Sequence, residues 1–185
     1  MNHAFILQPE FKQPANRADQ RSPQDRLTEA CGLAQAIDLD IVHHEIITIA
    51  RPRAATLLGP GVVERIAQNA EELDNPLIII NASLTPVQHR NLERALSCKV
   101  IDRTALILEI FGARAQSHAG RLQVELAALT FEKSRLVRSW THLERQRGGG
   151  GFLGGPGERQ LELDKRMLTD QIKQIKKELA DVKRT

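Results

Sequence analysis

Short apolar runs alternate, through the first hundred residues, with stretches whose apolar positions step by three and four. Residues 4–7, 41–49, 77–80 and 99–101 read as strands, and Ile41 to Ile49 is rich in β-branched residues. After the first run, Pro9, Pro14, Asn16 and Ser22-Pro23 mark a polar linker, so residues 1–22 are expected to form a loosely ordered lead. Residues 23–37 put Leu27, Ala30, Cys31, Ala34 and Ile37 on one helical face, with Ser22 as N-cap and Pro23 in the first turn. Gly59-Pro60-Gly61 turns into a helix carrying Val62, Val63, Ile66 and Ala70, which Asp74-Asn75-Pro76 ends. Thr85-Pro86 caps a helix holding Leu92, Ala95 and Leu96, and Asp102 caps another over 104–115. Strands alternating with helices predict an α/β subdomain over residues 1–102, a small parallel sheet with flanking helices and right-handed crossovers.

The second half changes period. Beyond a bend at 117–120, Leu122, Leu126, Leu129, Leu136, Trp140 and Leu143 form one helical seam, interrupted by Lys133. Leu161, Leu168, Ile172, Ile175, Leu179 and Val182 form another. Between them lie seven of the chain's twelve glycines, in Gly148 to Gly157. Two seams joined by about ten residues predict a long antiparallel two-helix hairpin over 103–185, a coiled-coil arm with a glycine-rich tip at 148–158. A tip made almost entirely of backbone fits closely against a packed polar target such as RNA.

Charge sharpens that picture. The chain carries a formal +3, and residues 132–166 hold eight cations against five anions, an excess as large as that of the whole chain. Arginine predominates there, and its planar fork suits phosphate. Five Phe, one Trp and no Tyr argue against a binder built on aromatic stacking platforms. Cys31 and Cys98 stand far apart without metal-ligand spacing, which predicts reduced thiols and no metal site. Neither a signal peptide nor an apolar run of eighteen residues occurs, so a cytoplasmic protein with no membrane segment is expected.

Several longer motifs occur in one order: Pro86-Val-Gln-His-Arg-Asn-Leu-Glu93, Val100-Ile-Asp-Arg-Thr104, Leu106-Ile-Leu-Glu-Ile-Phe111 and Gly120-Arg-Leu-Gln-Val-Glu-Leu126. The glycine tip, Gly155-Pro-Gly-Glu158, Gln160-Leu-Glu162 and Asp164-Lys-Arg166 follow. Together, over about residues 23 to 185, the chain resembles the N-terminal region of HflX-type GTPases. The resemblance implies an α/β subdomain and helical hairpin ahead of a C-terminal P-loop GTPase domain that uses GTP and Mg2+. It also implies binding to the large ribosomal subunit and its rRNA, in ribosome splitting or rescue, with the glycine loop directed toward the peptidyl-transferase centre. On that reading Arg135, Arg138, Arg145, Arg147, Arg159 and Arg166 contact phosphates. Gly148, Gly149, Gly150, Gly151, Phe152, Leu153, Gly154, Gly155 and Gly157 form the inserted tip.

No GxxxxGK[ST] and no NKxD segment occurs in these residues, so GTP hydrolysis is expected of a longer protein and no catalytic or nucleotide-binding residue is assigned here. Three departures from the family pattern occur, at four positions. Gly154 stands where an arginine often precedes GPGE, Phe152 and Leu153 replace smaller or polar residues, and Val62 replaces the lysine usual after Gly59-Pro60-Gly61. Two other function classes stay open: purine-nucleotide binding by this region itself, and a protein-interaction or dimerisation arm. His43 and His44, adjacent on a strand, point to opposite faces and cannot chelate together. Cys31 reads as core, Trp140 as seam packing, and Asp102 and Arg103 as a cap and an ion pair rather than an acid/base pair.

Overall fold

The computed structural model describes residues 3–12, 21–146 and 156–182, and the side chains of 137–161 lie outside that description. The element order is β1 (His3–Phe11), α1 (Pro23–Gln35), β2 (Asp40–Ile49), α2 (Pro60–Glu71), β3 (Leu77–Ile80), α3 (Pro86–Leu96), β4 (Val100–Asp102), α4 (Arg103–Arg114), α5 (His118–Gln146) and α6 (Pro156–Val182). The four strands form one all-parallel sheet in the order β2-β1-β3-β4. A mixed α/β fold around a small parallel sheet is therefore present, as the alternation of periods predicts.

The sheet is covered on both sides. On one, Val63, Ile66 and Ala70 of α2 and Leu92 and Leu96 of α3 pack with Phe5, Leu7, Ile78 and Ile80. On the other, Leu27, Ala30 and Ala34 of α1 and Leu106 and Ile110 of α4 pack with Ala4, Ile6 and Ile79. Alternate residues of β1 thus feed opposite cores, which is the period-two rule applied to a strand buried on both faces. Cys98 is buried in the first core and Cys31 lies half-buried against the second, both as packing residues.

Helix starts follow their sequence signals. Ser22 and Asp25 form a capping box ahead of Pro23, and Thr85 and Gln88 form one ahead of Pro86. Asp102, almost wholly buried, accepts from the Ala105 N–H at 2.9 Å and from the Leu84 N–H at 3.5 Å. α5 begins directly after Ser117, whose Oγ accepts from the Gly120 N–H at 3.0 Å, so the expected bend is shorter and Gly120 is helical.

Four expectations need adjustment. Residues 3–11, expected to lie largely in a loose lead apart from a strand at 4–7, form an interior strand of the sheet. The Asn81 N–H bonds to the Leu7 carbonyl, so by alternation Pro9 turns its missing N–H to the same side, beyond the last β3 residue, Ile80. The proline therefore removes no ladder bond. Ala95 is exposed, while Leu92 and Leu96 carry the inner face of α3. α6 already starts at Pro156, which suits a first helical position, so Gly157 belongs to a helix. Finally, the chain divides into compact units after Ile110 rather than after residue 102, because Leu106 and Ile110 belong to the sheet's core.

Candidate functional site

The arginine-rich segment lies in the second compact unit, residues 111–185. Its two long helices share an apolar cluster in which Leu122, near the start of α5, is buried with Ile175 and Leu179, near the end of α6. Leu126, Leu129 and Val182 are half-buried around them. Ile172 is buried, while Leu136 and Leu168 are half-buried, so the described seam positions face inward.

The expected RNA-contacting residues distribute as follows. The Arg135 guanidinium sits 5.3 Å from the centroid of the Phe131 ring, one turn back on α5, a geometry that holds its planar fork against an aromatic face. Arg166 is exposed on α6. Arg138 and Arg145 are on α5, and Gly157 and Arg159 on α6, with side chains outside the described set. The Trp140 side chain is outside it as well. Arg147, Gly148, Gly149, Gly150, Gly151, Phe152, Leu153, Gly154 and Gly155 lie outside the described residues altogether. Sequence reasoning missed an apolar pair beside Arg166: Leu163 and Met167 are 53% and 62% exposed, one helical turn apart. Their signal was being out of phase with the seam at Leu161, Leu168 and Ile172.

Two polar regions mark the α/β unit. In open parallel sheets ligands favour the crevice at the strands' carboxyl ends where the winding direction switches, here between β1 and β3. That place is filled by the chain itself. Asn81 Nδ2 donates to Gln8 Oε1 at 2.6 Å, and Gln8 Nε2 donates to the Pro9 carbonyl at 2.8 Å. Arg103 donates to Asn81 Oδ1 at 2.9 Å and to Glu29 at 3.1 Å, while Arg21 reaches the other Glu29 oxygen at 3.0 Å. Arg103 thus pairs with Glu29 and Asn81, in keeping with an ion-pairing role.

The second region is a surface cleft of about 600 Å³ at the end of β2, walled by Ile47 to Arg53 and by Gly59 and Val62. Arg51 and Arg53 are exposed there, and Gly59 gives α2 no side-chain cap. The two arginines supply cations that Val62 does not. Farther back on the same strand, Glu45 accepts from Arg65 at 3.0 and 2.8 Å and lies 3.1 Å from His43 Nε2. Burial pushes the Glu45 carboxyl up, but the hydrogen bonds from Arg65 and His43 outweigh it and leave its pKa below the ordinary value. His43 packs its ring 4.9 Å from Phe5, whereas His44 is exposed, so the two imidazoles diverge as strand alternation requires. Among the described residues no group of three or more metal-ligating side chains gathers. No described helix is long and apolar enough to cross a membrane.

Comparison with known proteins adds the following. Residues 24–112 match the family model for the GTP-binding GTPase N-terminal region, and residues 114–185 the model for the GTP-binding GTPase middle region. The chain is 49% identical over 162 residues to the GTPase HflX of Magnetococcus marinus, covering 88% of this chain and 38% of that protein. It is 48% identical over 142 residues to the GTPase HflX of Escherichia coli, covering 76% of this chain and 33% of that one. It therefore spans about a third of the length of these relatives. Among solved structures, a GTP-binding protein from Sulfolobus solfataricus in complex with GDP superposes with a TM-score of 0.68 at 21% identity. The match covers 99% of this chain and 46% of that one, a likeness of fold.

Proposed function

Since the chain belongs to the HflX family of GTPases, of which it carries the N-terminal and middle regions, we propose that it is a ribosome-binding module whose arm probes large-subunit rRNA. One observation carries this reading. Leu122, at the start of α5, packs with Ile175 and Leu179, at the end of α6. From this pairing we infer an antiparallel arm in which residues 147–155 join the two helices. With 29 residues in α5, the arm is about 40 Å long at 1.5 Å per residue. Its glycines give a tip narrow enough to enter folded RNA near the peptidyl-transferase centre, and Phe152 and Leu153 add apolar surface that wedges beside an exposed base.

Arg135, Arg138, Arg145, Arg147, Arg159 and Arg166 then bind phosphates along both sides of the arm, so recognition is by shape and backbone rather than base edges. In the longer protein a C-terminal P-loop domain binds GTP with Mg2+ in the cytoplasm. Tighter ribosome binding in its GTP state than in its GDP state couples hydrolysis to release, in subunit splitting or rescue. The direct test replaces Gly149, Gly150 and Gly151 by alanine. Added methyls obstruct close approach and restrict the backbone, so large-subunit binding should fall with the melting profile unchanged. Unchanged affinity in a folded variant contradicts insertion.

A second reading rests on the cleft beside β2. Arg51 and Arg53 face a 600 Å³ space next to the start of α2, a setting suited to a purine nucleotide's phosphates. Saturable protection of the 51–62 segment by ATP would support it. The exposed Leu163 and Met167 fit a protein-interaction arm instead, for which partner binding would ignore RNA and salt.

A further inference from the structure

We propose that β2 is a docking edge for a second copy of this chain, pairing antiparallel with the same strand of its twin about a twofold axis at His44. Among the described residues, β2 stands at one end of the sheet and bonds to β1 alone. It is ten residues long, against three for β4 at the other end, and a long unpaired edge is a template for another strand. The Lys12 N–H donates to the Ile49 carbonyl, so the peptide groups of Ile49 face β1, and by alternation so do those of Ile47, Glu45 and His43. The peptide groups of Thr48, Ile46 and His44 therefore face away from the sheet. The side chains of His44 and Thr48 are exposed.

The edge is matched to its own reverse. His43 and Glu45 project on the face covered by α2, where Arg65 holds Glu45. An antiparallel copy centred on His44 sets His43 of each chain opposite Glu45 of the other. On the opposite face, Ile41 and Ile46 both pack against the cluster under α1 and α4. A bulge makes their match possible: the register shifts between Ala4 and Phe5, leaving Val42 without a β1 partner. Skipping Val42 brings Ile41 opposite Ile46 of the second copy on one face. Neighbouring registers lose these matches, since centring on Glu45 sets two carboxylates face to face and centring on Ile46 sets Glu45 against Ile47. Opposite charges and apolar pairs across strands are favourable and like charges are not. This complementarity of the edge to itself selects a second copy over an unrelated strand.

The test is sedimentation of the 185-residue chain from micromolar to sub-millimolar concentration, beside His44→Pro and His44→Lys. Proline removes the outward N–H at the axis without costing a bond to β1. Lysine keeps the backbone and places two like charges across the axis, so one variant suffices if the other fails to fold. The wild type should show a concentration-dependent dimer, and each folded variant should raise the dissociation constant at least tenfold. Spin labels report register. Paired labels at position 44 should be close, with Cα atoms about 5.5 Å apart, whereas labels at position 48 should be offset by about 27 Å along the strands. A wild type that stays monomeric, a dimer that survives either folded variant, or a shorter separation at 48 than at 44 overturns the proposal.

Discussion

Replacing Asn81 by leucine tests whether the polar keystone between β1 and β3 holds the sheet's carboxyl edge. Gln8 is 1% exposed, and its Oε1 accepts the 2.6 Å bond from Asn81 Nδ2. Its Nε2 is already engaged with the Pro9 carbonyl. Leucine fills a similar volume but leaves that buried oxygen without a donor. Arg103 also loses its 2.9 Å acceptor, yet with its side chain 31% exposed it keeps Glu29 and gains water. The orphaned Gln8 oxygen therefore dominates, at about 1–3 kcal/mol. Because the chain has two compact units, a single melting curve mixes them. Amide exchange of Ile6 and Ile79, in the sheet's interior, reads the first unit alone. A loss of about 2 kcal/mol should speed exchange roughly thirtyfold. Gln8→Leu combined with Asn81→Leu removes the orphan, so the double variant should cost less than the sum of the two singles by about 1 kcal/mol. Exchange within twofold of wild type in Asn81→Leu, or strict additivity in the pair, refutes the keystone.

Other consequences concern the arm, the β2 carboxylate and the thiols. Leu122→Ala opens the cluster with Ile175 and Leu179 and should cost the helical pair about 2–4 kcal/mol, visible as faster exchange in α5 and α6 while Ile6 and Ile79 keep their protection. Glu45 has a folded-state pKa below its ordinary value, so its contribution to stability is present above that value and fades as pH falls through the depressed one. Arg65→Ala should raise the Glu45 pKa in a carboxyl-carbon NMR titration, and an unmoved midpoint would contradict the assignment to Arg65. Burial pushes the Cys31 and Cys98 thiols above their usual range, so both should react more slowly with an alkylating reagent in the native chain than after denaturation. Equal rates in the two states would show that they are accessible.

The α/β core was legible because each of its elements announces itself locally. Ser22-Pro23 and Thr85-Pro86 cap helices where the chain says they should, and the runs at Leu77–Ile80 and Ile41 to Ile49 are strands. What escaped was decided by neighbours distant in sequence. Pro9 reads as a strand breaker until β3 is known to end at Ile80, leaving its missing N–H no ladder bond to lose. Gln8 and Asn81, seventy-three residues apart, carry no mutual signal in sequence. The cleft at Arg51 and Arg53 depends on where the loop after β2 meets the start of α2. For the arm, periodicity supplied the inward faces, and the exposed Leu163 and Met167 stood out once the seam's phase was fixed. The glycines between the helices were visible as composition, and the role proposed for them rests on the family resemblance.

Co-sedimentation of this chain with purified large ribosomal subunits across a salt series, beside a version lacking residues 148–155, tests the central claim most directly. If all six arginines engage phosphates, the logarithm of the binding constant should fall against the logarithm of salt with a slope of about −4 to −5. Deleting the tip should abolish binding while the α/β core stays folded. Binding that ignores salt, or that survives loss of the tip, would contradict an arm that reads ribosomal RNA.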